Sequence, residues 1–143
     1  MSNKMKLFLL GCAPLMFGVI VKMLRSTLGI YGSEVFIFGA VFSGCWCYVG
    51  YRYNKLSNYL NSVILVHLIG LFCLSITNLL LVSSSSFPLN ILVYLVESYY
   101  LPMYLFTSAF MTYSGVFNLY LYSFIMMVIL FSIGFKIGYK ETR

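Results

Sequence analysis

Few side chains in this sequence can do chemistry. Its acids are Glu34, Glu97 and Glu141, with no aspartate, and its one histidine is His67; Cys12, Cys45, Cys47 and Cys73 complete the reactive groups. Paired carboxylates, a nucleophile–His–acid triad and a metal cage each need more than this, so the chain reads as a non-enzyme with no metal and no cofactor. Cys45 and Cys47 have the look of a redox or metal pair, but residues two apart on a helix point about 200° away from each other. All four cysteines lie in apolar stretches, where a thiol packs as a small hydrophobe. With no Gly-rich phosphate loop and no internal repeat, neither a nucleotide site nor an inverted-repeat transporter is supported.

Two ionisable groups remain that lie inside apolar runs. Glu97 sits in "ILVYLVESYYLPMYLF", residues 91–106, where a carboxylate costs roughly 2.5–3.5 kcal/mol if the run enters a bilayer. Asn90, Tyr94, Glu97, Ser98, Tyr104, Ser108 and Thr112 recur near helical spacing and form a polar stripe facing protein or water. Pro102 is expected to kink this helix within one turn of Glu97 and to free a carbonyl that a neighbour or water must satisfy. Either the helix lies at an interface with Glu97 reaching water, or Glu97 is a buried carboxylate on a solute or proton lane. His67 lies about nine residues, roughly 13 Å, into its own segment, with Gly70, Leu74 and Asn78 following on the same face. That face should point into a bundle, where His67 serves as a hydrogen-bonded structural residue or a relay, and His67→Leu is expected to disturb folding or activity. The candidate intramembrane polar residues are therefore His67, Asn78 and Glu97.

The elements that hold them are membrane helices by composition. The 143 residues are 62% hydrophobic and 8% charged, far from the roughly one-quarter charged content of a soluble domain, so the chain belongs in a bilayer as an all-α integral membrane protein. One small helical bundle, a single domain over residues 1–143, fills that length. Five apolar segments can be drawn: Leu7–Leu24, Val35–Tyr51, Tyr59–Val82, Leu89–Met111 and Val116–Ile137. The run "SSSSFP", 83–88, breaks the chain by composition, and "TYSG", 112–115, makes a tight turn. The cysteine in "LLGC", 9–12, resembles a lipidation site, but the apolar stretch before it is too short for a signal peptide, so an uncleaved first span is expected.

Charge decides between four spanning segments and five. If 83–115 stays outside, Lys4, Lys6, Arg52, Lys55, Lys136, Lys140 and Arg143 are cytoplasmic, seven of the nine basic residues, and Lys22 and Arg25 are exported. Five spans divide the same charges almost evenly, whereas the length and apolarity of the fourth segment argue for its insertion. The expected arrangement has four spans in the plasma (cell inner) membrane, cytoplasmic termini, and a fourth segment that re-enters or lies along the outer interface; five spans are the alternative. The net charge of +6 comes in pairs flanking apolar runs, which is an anchoring pattern and not a nucleic-acid surface. Ala40, Ser43, Gly44, Cys47 and Tyr51 form a stripe of mostly small residues expected to let another helix approach closely. These features suggest a non-catalytic protein that binds a membrane-protein partner or a second copy of itself, as an accessory subunit or an immunity- or regulator-type protein. A small carrier or channel using His67, Asn78 and Glu97 is the alternative.

Overall fold

The computed structural model describes residues 2–29, 34–82, 87–107 and 116–140, and among these every element is helical. They are α1 (Asn3–Leu10), α2 (Ala13–Leu28), α3 (Glu34–Arg52), α4 (Tyr59–Val82), α5 (Phe87–Thr107) and α6 (Val116–Lys140). The stretches Asn3–Leu28, Tyr59–Thr77 and Phe117–Lys140 are each long and apolar enough to cross a bilayer. Their outward faces are apolar as well: Ile125, Ile129, Ile133 and Ile137 recur every four residues along α6 and are all exposed. A soluble helix buries such a stripe, so this surface suits hydrocarbon.

The first apolar segment, expected as one helix, is broken. Pro14 has no N–H to give the Leu10 carbonyl, and its ring crowds that turn. The chain responds by tightening: Gly11 N–H bonds to the Leu7 and Phe8 carbonyls, and Cys12 N–H to the Leu9 carbonyl at 3.0 Å. α2 then runs to Leu28 and stops at Gly29, whose φ of 62° is left-handed and whose N–H bonds back to the Arg25 carbonyl.

Packing fixes the directions of the helices. α3 and α6 run parallel, because Trp46 meets Met127, Gly50 meets Phe131 and Asn54 meets Gly138. α4 runs against α6, with Tyr59 on Ser132 and Gly70 on Phe124. Lys55, Lys136 and Lys140 therefore gather at one end of the bundle, and Lys6 of α1 lies beside Tyr53 at that same end. Lys22 and Glu97 lie together at the opposite end.

The small-residue stripe foreseen on α3 makes close contacts only in part, through the backbone of Cys47 and Tyr51 against Gly134 and Gly138 of α6. Ala40, Gly44 and Tyr51 are exposed, and Gly44 has open space around it. The packing face is instead Gly39, Phe42, Trp46 and Gly50, a quarter-turn round the helix. The approach is made by glycines that oppose backbone: a Cβ on Gly134 of α6 would collide with the Cys47 carbonyl, and one on Gly50 with that of Phe131. Large rings then fill the space beside these approaches, so glycine on backbone and ring on ring together define the face.

Candidate functional site

α5 changes character along its length. Residues 91–95 are exposed all round the helix, whereas all six residues from 98 to 103 are buried, which is a full turn and a half with protein on every side. Its contacts with α2, Tyr94 near Lys22 and Ser98 on Gly18, show that it runs antiparallel to α2 and inward from the Glu97 end. The Thr107 hydroxyl lies 3.0 Å from that of Ser123. Ser123 is seven residues into α6, about 10 Å from that helix's start at 1.5 Å per residue, so α5 stops well short of the lysine-rich end.

Proline and glycine together permit this insertion. Pro102 cannot donate to the carbonyl of Ser98, four residues earlier, and that carbonyl points straight at Gly18, where any Cβ would collide with it. A Cα–H of glycine is a weak donor for a carbonyl so deprived. Tyr100 anchors the buried turn from another side, donating its hydroxyl hydrogen to the Gly70 carbonyl at 2.6 Å, and its ring stacks on Tyr120.

One turn from Gly18 on α2, Lys22 reaches over α5. Its Nζ lies 3.0 Å from Glu97 Oε2, 3.4 Å from the Tyr94 carbonyl oxygen and 4.0 Å from the centre of the Tyr94 ring. The Lys22 side chain is 20% exposed and that of Glu97 48%, so the pair closes the α2/α5 seam while the carboxylate keeps contact with its surroundings. This answers how an apolar run tolerates Glu97: the charge is paired, hydrogen-bonded and only half covered. Sequence reading treated Lys22 as a topological anchor and missed it as a partner. The signal was present, since Lys22 and Arg25 are the two cations that the four-span arrangement places on the side of Glu97.

His67 occupies a different site. It is 2% exposed, and its Nδ1 lies 2.9 Å from the Val63 carbonyl oxygen one turn back on α4. A carbonyl only accepts, so Nδ1 carries the proton and Nε2 presents its lone pair. Among the described residues no hydrogen-bond donor meets that lone pair. Three rings enclose the imidazole edge-on, Trp46, Phe124 and Phe131, with centroids 5.9, 6.0 and 5.4 Å away. The nearby Met127 carbonyl is itself an acceptor and cannot meet that lone pair; it receives the Trp46 indole N–H at 3.0 Å.

His67 and Glu97 are thus not brought together: one sits in an aromatic cage between α3, α4 and α6, and the other on the α2/α5 seam. Asn78, the third candidate, has its side chain outside the described residues, as do Asn90, Ser108 and Thr112 of the polar stripe. Of that stripe, Ser98 is fully buried and bonds to the Tyr94 carbonyl of its own helix, and Tyr94 is exposed. Among the described residues no three metal-ligating side chains converge, and the four cysteines are all free thiols. Family models, curated proteins and solved structures give no match to this chain.

Proposed function

We propose that this chain is a non-catalytic multi-pass membrane protein that acts by binding a protein partner in the membrane, with the exposed residues 91–95 of α5 as the contact. The observation that carries it is the split of α5 at Glu97. The buried turn at 98–103 fixes the helix in the bundle, so the apolar side chains of Ile91, Leu92, Val93, Tyr94 and Leu95 are held outward on a rigid mount. A helix presented this way, bordered by an ion pair that sets its register, has the form of a recognition element.

In this proposal α1/α2, α3, α4 and α6 are the four spans and α5 re-enters from the outer face. The gathering of Lys6, Lys55, Lys136 and Lys140 at one end supports a cytoplasmic location for that end. A photoreactive residue at Val93, with a control at Ile129 on the outer stripe of α6, tests the contact in native membranes. A protein adduct of one defined mass at Val93 alone is expected; an adduct near twice 16.3 kDa identifies a second copy as the partner. Lipid adducts alone at both positions would refute the binding role.

A carrier or channel role is favoured by one observation, the unpartnered Nε2 of His67 in the bundle interior. Vesicles loaded with a pH-sensitive dye test it. Proton or cation flux that is lost on Glu97→Gln or His67→Leu would establish transport, and no flux under any gradient would dismiss it.

A further inference from the structure

We infer that the lysine-rich end of the bundle holds a binding site for the headgroup of an anionic glycerophospholipid. A cavity of about 670 Å³ opens between the α3/α4 connection and the last turns of α6, within the ~300–1,000 Å³ usual for small-molecule sites. Lys55, Lys136 and Lys140 line it, with the polar residues Asn54, Ser57 and Asn58. None of its lining residues is acidic, and Glu141, next to Lys140 in sequence, is outside the described residues. Lys136 and Lys140 are one helical turn apart, so both ammonium groups reach the same side of α6.

Two further features point to a lipid. The N-terminus of α4 opens on this cavity through Ser57, Asn58 and Tyr59, and its first turn carries no acid, so a 24-residue helix adds its positive end to the three lysines. Phe135, Tyr59 and Tyr139 line the same cavity and supply apolar walls beside the charged groups. Tyr59 is held in place by its hydroxyl bond to Ser132. A phosphodiester takes the ammonium groups and a glycerol backbone lies along the rings, the complementarity expected of basic pockets between membrane helices on the cytoplasmic side. The inference needs the chain to reside in a membrane but is independent of the α5 partner.

The test uses full-length protein, delipidated in detergent and examined by native mass spectrometry with added phosphatidylglycerol or phosphatidylcholine. A retained phosphatidylglycerol adduct is expected, with phosphatidylcholine binding far more weakly. Lys136→Gln with Lys140→Gln should weaken phosphatidylglycerol binding about thirtyfold. The charge-matched pair Lys4→Gln with Lys6→Gln, at the same end but outside this cavity, should leave it within about twofold. Lys136→Arg with Lys140→Arg should keep phosphatidylglycerol binding, and that variant guards against a folding defect in the Gln pair. Equal retention of the two lipids, equal losses in the two Gln pairs, or saturation by inorganic phosphate that abolishes lipid retention would each overturn the inference.

Discussion

The α2/α5 seam and the aromatic core of α3, α4 and α6 each hold an ionisable group, and they treat it in opposite ways. At the seam, Glu97 is charged, paired with Lys22 and half exposed. In the core, His67 is enclosed by three rings and keeps one nitrogen without a protein partner. A carboxylate must meet a counter-charge or water, whereas a neutral imidazole needs one hydrogen bond and apolar company. Seam and core are also built differently. Glycines bring backbone against backbone in both, at Gly18 in the seam and at Gly50 and Gly134 in the core, but only the core adds a cluster of rings, Phe42, Trp46, Phe131 and Phe135.

The contrast predicts a ranked set of effects, read by detergent titration with circular dichroism. Trp46→Ala should be the most damaging, roughly 3–5 kcal/mol, since it empties the core beside His67 and releases the Met127 carbonyl. Gly18→Leu should follow at about 3 kcal/mol, because even its Cβ would overlap the Ser98 carbonyl, backbone that cannot yield without parting α2 from α5; Gly44→Leu, on open space, should be near neutral. The chain has a single tryptophan, in the core, so fluorescence separates the two regions. Unchanged Trp46 emission in Gly18→Leu would mean that the seam opens alone, and a red shift would show one cooperative unit.

Smaller effects sharpen the comparison further. A double-mutant cycle on Lys22→Met and Glu97→Gln should give a coupling of about 0.2–1 kcal/mol that falls with added salt. A larger, salt-insensitive coupling would place the pair in hydrocarbon and not at an interface. His67→Leu should change stability by less than about 1 kcal/mol, because the Val63 bond it loses is offset by removal of a lone pair without a partner. Of the expectation from sequence that this substitution disturbs folding or activity, activity is then the half to measure. Loss of function at preserved stability would mark His67 as a working residue.

Much of this architecture can be read from residue order. Apolar run length locates α3, α4 and α6, and the lysine pairs mark which helix ends meet. Pro102 foretells a freed carbonyl, and the structure supplies Gly18 as its neighbour. The break between α1 and α2 was equally available in Gly11 and Pro14, but an apolar run hides a kink because hydropathy has no register. The packing face of α3 was not legible. Small residues repeat on one side and rings on another, and which side turns inward depends on the glycines of α6, more than eighty positions away. The Lys22–Glu97 pair was out of reach for the same reason, since their meeting needs the register of two helices seventy-five residues apart.

The enclosed turn of α5 also dictates an order of assembly. Part of its cover comes from Tyr120 and Ser123, which the ribosome makes after α5 itself. Until residues 116–123 are made, Tyr100 lacks the Tyr120 ring and Thr107 the Ser123 hydroxyl, although Gly18, Lys22 and Gly70 of the earlier helices are already there to receive α5. The 33 residues from Thr107 to Lys140 take about 2–7 s at roughly 5–20 residues per second. α6 thus closes the fold over a segment already synthesised, and the aromatic and hydroxyl contacts at Tyr120 and Ser123 are the ones that lock α5 in place after the rest of its surroundings exist.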